Sequence, residues 1–385
     1  MSKRYHHAIL LYITIIIYVF YFRFNETIDF ENCGLCDAKQ YNKLYDYFEG
    51  GEATQIAYPF YSRPFVPFLA SIMPGNKVTI GFHVVNFIFI LLSVFTIKKL
   101  WDFLTIQSWL QWVGFGWLLT HWTGIIRYNL FDHITVDVPL YFVQGLTILL
   151  FFQKKYKWFY LITPLALLQK ESFLAIAVML LFIHIWFERK NWYTDGKHLL
   201  YSLLVGIAFQ KGILSLLPDQ LDQRNSIMAL LYHGKLAIDN PTRFIRWFAA
   251  FGGAFGVIPF IILFKIKSLN IRDSKELTLL IFSIMYCCFG LLAGEDITRI
   301  LFLGFPFIMT LSLLFFQKLS KWLVIIAIAL SAVALHIYPI VIDPKWAVDY
   351  TSMDYVYPWA AFYLVAVAVL FFCFLAIRKR KVNQS

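Results

Sequence analysis

The stretch VTIGFHVVNFIFILLSVFTI, residues 78–97, followed at once by Lys98-Lys99, decides the fold class. It is apolar on all sides, shows no two-residue alternation, and reaches the roughly 20 residues that a helix needs to cross a bilayer. A backbone in lipid must satisfy its own polar groups, which leaves helices or a closed barrel; an unbroken apolar run without alternation reads as helix. Working outward, comparable runs lie near 6–22, 106–126, 135–152, 157–169, 172–187, 199–217, 247–265, 277–293, 300–317, 322–342 and 358–377. The chain is 60% apolar and 15% charged, against about 25% charged in soluble domains. The expected fold is therefore an all-α, polytopic transmembrane protein of about twelve spans (about ten to thirteen), at roughly 20 residues each. Residues 1–385 are expected to form a single membrane domain with no separate soluble one. The pair 157–169 and 172–187 is short and meets at Gln169-Lys170-Glu171, which reads as a broken or kinked hairpin.

Charge sets the expected orientation. With the N-terminus inside, each inner connection is basic: Lys3/Arg4, Lys98/Lys99, Lys154/Lys155/Lys157, Arg189/Lys190/Lys197, Lys265/Lys267/Arg272/Lys275, Lys318/Lys321 and Arg378 to Lys381. This is the positive-inside pattern, and it places both termini in the cytoplasm of a multi-pass cell-membrane protein. The net charge of +11 is then mostly a topology signal. Basic residues scattered over turns exclude a nucleic-acid face. No glycine-rich phosphate loop is present, so no nucleotide cofactor is expected. The first segment runs into Tyr21-Phe22-Arg23-Phe24, with no small-residue cleavage pattern, and reads as a retained anchor. Cys287, Cys288 and Cys373 fall in apolar runs and suit packing. Cys33 and Cys36 form a CxxC on the first outer loop, open between a disulfide, a redox pair and free thiols.

Of the 23 acidic residues, only Asp102, Glu188, Asp195, Asp273 and Glu276 fall on the inner side. The rest gather on outer connections, chiefly the 23–76 loop with an interfacial helix and the 218–246 loop. Ionisable groups at a membrane face are costly and mark a functional face.

Four stretches carry the candidate chemistry. In the first loop Tyr41, Leu44, Tyr45 and Phe48 recur at helical spacing, and Gly50-Gly51 ends that helix. Asp37 opens it, with Gln40 three residues on, which reads both as a capping box and as a carboxylate facing a cavity. Tyr61-Ser62-Arg63-Pro64 follows, with Pro64 and Pro67 suited to a helix first turn; Arg63 suits a phosphate, a carboxylate or a plain interface anchor. In the next outer turn lie Arg127, Asp132, His133 and Asp137. The last three suit a divalent ion or a substrate hydroxyl, and Asp137 before Pro139 also suits a cap. Lys170-Glu171 reads either as a self-neutralising pair or as part of the site. Glu295, Asp296 and Arg299 form the last cluster, with an Arg299–Glu295 ion pair as its simplest reading. A divalent metal stays open; no protein ligand set for one is assigned.

In this order the pieces resemble the GT-C superfamily of integral membrane glycosyltransferases. They are Asp37 with Tyr41, the Tyr61 to Pro67 helix entry, Asp137-Val138-Pro139, Lys170-Glu171, and Asp296 to Arg299 followed by Phe305-Pro306. The resemblance covers roughly residues 8–317. It implies an enzyme that moves a sugar from a polyprenyl-phosphate carrier to a glycan, lipid or protein acceptor on the extracytoplasmic face. It further implies Asp37 as the base on the acceptor hydroxyl, Arg299 and Arg63 on the departing phosphate, and Tyr58, Tyr61, Trp122 and Tyr128 as stacking platforms. The chain departs from the family pattern in one respect: Asp37 has no acidic neighbour, so Asp29 and Glu31 stay open as alternative bases. An envelope polysaccharide polymerase or ligase is the alternative, given Arg224, Lys235, Arg243 and Arg246 on the second loop. A transporter is disfavoured by the lack of paired repeats.

Overall fold

The computed structural model describes residues 3–28, 37–52, 54–75, 77–189, 192–218, 220–221, 226–264, 266–292, 294, 296–335 and 353–382. Asp29, Glu31, Cys33, Cys36, Arg224 and Glu295 lie outside the described residues. The described chain is helical and contains no strand. Its helices are α1 (Lys3–Phe24), α2 (Ala38–Phe48), α3 (Phe65–Ser71), α4 (Val78–Phe103), α5 (Ser108–Thr120) and α6 (Arg127–Phe131). Next come α7 (Val138–Phe152), α8 (Phe159–Gln169), α9 (Phe173–Phe187), α10 (Trp192–Leu214), α11 (Ser226–Asp239) and α12 (Thr242–Phe255). The last are α13 (Ile261–Phe264), α14 (Ser274–Leu292), α15 (Ile297–Phe302), α16 (Phe305–Phe316), α17 (Lys321–Ser331) and α18 (Met353–Val382).

Among the described residues, four helical segments are long and apolar enough to cross a membrane: Tyr5–Phe24, Val78–Phe103, Ser274–Leu292 and Val356–Lys379. Thr242–Phe255 and Ile258–Phe264 make a fifth if counted together, although they bend by 98°. Several expected spans are thus broken. The 106–126 helix stops at Thr120, and the chain turns under Gly124, where a Cβ would come within 2.5 Å of the Leu118 carbonyl oxygen. The 247–265 span bends at Gly256, whose φ of +60° favours glycine. Ser331 seats that bend, its hydroxyl accepting from the Val257 N–H at 2.8 Å. The 300–317 span breaks at Leu303-Gly304 and restarts with Pro306 in the first turn of α16. In each case a glycine pressed against a neighbour interrupts a run whose composition alone reads as continuous.

The chain divides into two compact units, residues 1–104 with 128–229, and residues 105–127 with 230–385. In the first unit α1 runs antiparallel to α4: Phe22 meets His83, Tyr18 meets Phe87, and His7 faces Asp102 at 3.6 Å. By contrast α7 runs parallel to α4. Asn86 donates to the Thr135 carbonyl at 3.1 Å, Phe89 meets Phe142, and Gly145 lies flat on Thr96 and Ile97. The α8 and α10 helices are also parallel. Tyr160 reaches His198, Gly206 abuts Thr163 and Leu167, and Gln210 donates to the Leu167 carbonyl at 2.8 Å.

The α2 helix begins and ends where its spacing predicts, and Gly50 leaves it at φ +89°. Its apolar face does not lie open to the membrane interface. Tyr41, Leu44 and Tyr45 are buried with Val66 and Ala70 of α3, Phe82 and Val85 of α4, and Ile134 and Val136. Burying each large side chain is worth about 1.5–3 kcal/mol, and protein supplies the cover. The capping box does not form either: Asp37 makes no side-chain cap, and Gln40 Oε1 instead accepts from the Ala57 N–H at 3.1 Å.

In the second unit α12 runs antiparallel to α14, with Trp247 Nε1 donating to the Cys287 carbonyl at 2.8 Å. It runs parallel to α18, where Gly252 faces the Tyr363 ring so closely that a Cβ would sit 2.2 Å from it. His121 in the turn after α5 links the unit's centre. Its Nε2 donates to the Gly253 carbonyl at 2.8 Å, its Nδ1 accepts from the Thr123 N–H at 3.1 Å, and its ring stacks on Phe302. A carbonyl only accepts, which assigns the tautomer.

Candidate functional site

The α8–α9 break organises the site in the first unit. α8 ends at Gln169 and α9 begins at Phe173. Between them Lys170 is extended (φ −162°, ψ 126°), so consecutive side chains leave in different directions. Lys170 and Glu171 therefore do not pair directly with each other. Lys170 Nζ donates to Asp137 Oδ1 at 3.0 Å, Gln169 Nε2 donates to the Val136 carbonyl, and Glu171 turns to Arg63.

The Arg63–Glu171 pair is two-pronged. Arg63 Nε donates to Glu171 Oε2 at 3.1 Å and Nη2 donates to Oε1 at 2.9 Å. Ser62 Oγ adds a third donor to the same carboxylate at 3.0 Å. Such planar, charge-assisted pairs are the stronger hydrogen bonds and hold a guanidinium in one orientation. Burial alone would raise the Glu171 carboxyl. The Arg63 charge and hydrogen bonds, with Lys170 nearby, outweigh it and hold the pKa down at about 2. Arg63 is thus engaged by a carboxylate from 108 residues away in sequence, one of the partners its sequence position suggested.

The third edge of the guanidinium faces α2. Arg63 Nη1 donates to the Tyr41 hydroxyl at 3.4 Å. Burial pushes the Tyr41 phenol up; Arg63 opposes the rise, while Asp37 and Asp137 add to it. Tyr41 therefore lies within electrostatic reach of both carboxylates. Asp37, Tyr41, Arg63, Asp137, Lys170 and Glu171 form one charged cluster supplied by four chain segments, all expected on outer connections.

Other predicted residues take different places. The Tyr61 hydroxyl donates to the Leu214 carbonyl at the end of α10. Asp132 is buried, and its N–H closes the turn onto the Tyr128 carbonyl at 2.8 Å. The His133 ring stacks on His83 with centroids 5.0 Å apart; burial, and then the His83 charge, pull its pKa down to about 4. Asp137 starts α7 without a side-chain cap and points to Lys170. No group of three or more His, Cys, Asp or Glu among the described residues is arranged to hold a metal ion. Asp132, His133 and Asp137 do not form such a group: the His133 ring lies on His83 and the Asp137 carboxylate on Lys170.

In the second unit Arg127 is buried, and Nη1 donates to the Thr120 and Leu335 carbonyls at 3.2 and 3.0 Å. Trp122 is buried beside His121, so its face is not open to a sugar. Arg299 pairs with Asp296 at 3.1 Å within one turn; Glu295, its expected partner, lies outside the described residues. Sequence reasoning assigned no role to Ser62 or Gln169. Their only signal is position, each adjoining a charged residue at the head of an apolar segment. Compared with protein-family models, curated proteins and solved structures, the chain shows no match to any of them.

Proposed function

We infer that the protein is an integral membrane glycosyltransferase that takes a sugar from a polyprenyl-phosphate carrier and passes it to an acceptor on the extracytoplasmic face. The observation that carries this reading is the cluster around Arg63 and Glu171. It gathers Asp37, Tyr41, Asp137 and Lys170 from separate outer connections, in a chain without a nucleotide-binding motif, so a lipid-borne donor is the sensible source of the sugar. In the proposed step Asp37 takes the proton of the acceptor hydroxyl. The acceptor oxygen bonds to the anomeric carbon, and the bond from that carbon to the carrier phosphate oxygen breaks, leaving the carrier phosphate. Phosphate leaves readily, so no strong general acid is needed; removal of the proton is the protein's share.

The reading includes a multi-pass chain of about twelve membrane segments, several of them broken helices, at roughly 20 residues per full span. Both termini are cytoplasmic. Sidedness of the ion pairs supports this. Lys98–Asp102, Lys154–Glu188 and Lys318–Glu276 each join two residues assigned inside. Arg63–Glu171, Lys170–Asp137 and Arg299–Asp296 each join two assigned outside. Helix directions agree: the antiparallel pairs α1/α4 and α12/α14 and the parallel pairs α4/α7 and α8/α10 are those that alternating passage demands.

Two experiments test the reading. Mass spectrometry of lipids and glycans from cells with and without the protein should show a carrier-linked sugar accumulating and a glycoconjugate lost; Asp37→Asn should reproduce that loss, with turnover down by roughly 10²-fold or more. Unchanged glycans would remove the activity. For topology, Glu52→Cys and Lys155→Cys, each in a background without the native cysteines, should label with an impermeant thiol reagent from opposite faces. Labelling from one face would overturn the orientation.

A further inference from the structure

The Tyr41 hydroxyl is buried and accepts one hydrogen bond, from Arg63 Nη1. A phenol also donates, and among the described residues its own hydrogen meets no acceptor. A buried donor left without an acceptor is destabilising and calls for an explanation. Its setting suggests one. Asp37 stands one helical turn before it on the head of α2, and both Asp37 and Asp137 act on it electrostatically. The Tyr41 N–H reaches the Asp37 carbonyl at 3.3 Å, and residues four apart on a helix share one face. A donor and a carboxylate acceptor on one face suit an alcohol oxygen, which donates one hydrogen and accepts through two lone pairs. An alcohol that accepts from Tyr41 and donates to Asp37 keeps one lone pair for bonding.

Charge discriminates between ligands. The cluster holds three carboxylates (Asp37, Asp137 and Glu171) and two cations (Arg63 and Lys170), and both cations already face carboxylates. A phosphate entering here would add like charge to a group already net negative, in a setting where screening by water is weak. A neutral polyhydroxylated group adds none. The Arg63 fork is locked by Glu171 and Ser62, which leaves its third edge to hold the Tyr41 oxygen.

We propose that Tyr41 and Asp37 form a subsite for a hydroxyl of a neutral polyol, the sugar-like portion of the substrate, and that Ser62, Glu171 and Arg63 brace the Tyr41 hydroxyl and are not a phosphate clamp. The assignment of that polyol as substrate rests on the glycosyltransferase reading; the subsite itself is testable without turnover.

The test uses the full chain in nanodiscs and saturation-transfer NMR with the methyl glycosides of glucose, mannose, galactose and arabinose, and with inorganic phosphate as competitor. At least one glycoside should bind the unaltered protein, and phosphate should not displace it. Tyr41→Phe keeps the ring and the fold, checked by thermal unfolding, and should weaken binding about 2- to 10-fold, the range for one neutral hydrogen bond. Glu171→Gln keeps the shape but removes one negative charge and frees the arginine; it should weaken glycoside binding and let phosphate compete, a gain that general loosening would not produce. This second variant decides the matter if Tyr41→Phe does not fold. Failure of all the glycosides to bind, displacement by phosphate in the unaltered protein, or unaltered binding in Tyr41→Phe overturns the proposal. Tyr41-dependent glycoside binding in a protein that leaves cellular glycans unchanged would sink the transferase reading alone. Normal glycan transfer with Tyr41→Phe would sink the subsite alone.

Discussion

The two units use the arginines expected on the outer side differently. In the first, Arg63 meets Glu171 from a distant segment through a two-pronged, mostly buried contact, with a tyrosine on its remaining edge. In the second, Arg299 meets Asp296 three residues away. Arg243 turns to the Leu291 and Gly294 carbonyls at 3.1 and 2.7 Å, and Arg127 to the Thr120 and Leu335 carbonyls. An arginine spent on helix-end carbonyls completes the backbone's hydrogen bonding where a helix leaves orphan acceptors. An arginine fixed by a remote carboxylate joins two segments and orders what lies on its free edge. The same residue type on the same expected side thus marks architecture in one unit and a candidate site in the other.

The largest expected effect tests that contrast directly. Glu171→Ala leaves Arg63 as a buried charge without its partner and should destabilise the first unit by about 3–5 kcal/mol. Asp296→Ala, which breaks a single contact between residues three apart on one helix end, should cost about 0.2–1 kcal/mol. Double-mutant cycles over Arg63/Glu171 and Arg299/Asp296, read by denaturant titration in detergent, measure the two couplings. Equal couplings would erase the difference between the units.

Acid should strike the first unit next. The folded pKa values of His133 and Glu171 are both depressed. For His133, the unfolded chain binds a proton that the folded chain refuses between about pH 6.5 and 4, so stability falls as pH drops through that window. For Glu171, the stability present above about pH 4.5 is lost as pH falls toward 2. In Glu171→Gln the lower of the two windows should flatten while the upper remains. A thermal-unfolding series with pH that keeps its full slope below pH 4.5 in this variant would contradict the role given to the pair.

The smallest effect compares two buried tyrosines. Tyr363 of α18 packs flat on Gly252, and its hydroxyl finds no hydrogen-bond partner among the described residues. Its ring neighbours are Trp359 and Phe362, whereas the Tyr41 hydroxyl meets the Arg63 guanidinium. Tyr363→Phe removes an unsatisfied polar atom and should leave stability unchanged or raise it by up to about 1 kcal/mol. A loss of more than that would mean the Tyr363 hydroxyl has a partner of its own, and the contrast with Tyr41 would fail.

Much of the local structure was legible. The spacing of Tyr41, Leu44, Tyr45 and Phe48 and the Gly50-Gly51 stop predicted α2 closely, and the polar Gln169-Lys170-Glu171 interruption predicted the α8–α9 break. The partners were not legible. Periodicity says that a face is apolar; it does not say whether lipid or protein covers it, and for α2 the cover is α3 and α4. Adjacent opposite charges suggest a pair, yet Lys170 and Glu171 part because the backbone at Lys170 is extended. Asp37 and Asp137 looked like caps, since each stands at a helix start. Caps need an extended residue whose oxygen turns back to the N–H groups, and both residues are already helical in φ and ψ.

Composition by itself determined that this chain is a helical protein with membrane-length apolar segments, and charge order set the expectation of one acidic face. Those properties are sums over local residues, and burial in lipid acts on each segment separately. Apart from the α8–α9 break, only the tertiary structure decided where the segments break, and it alone decided which charges meet. The bend at Gly256 needs Ser331 to seat it, and the Arg63–Glu171 pair needs two segments 108 residues apart to be brought together. Both depend on which surfaces come into contact, and a one-dimensional pattern does not contain that information.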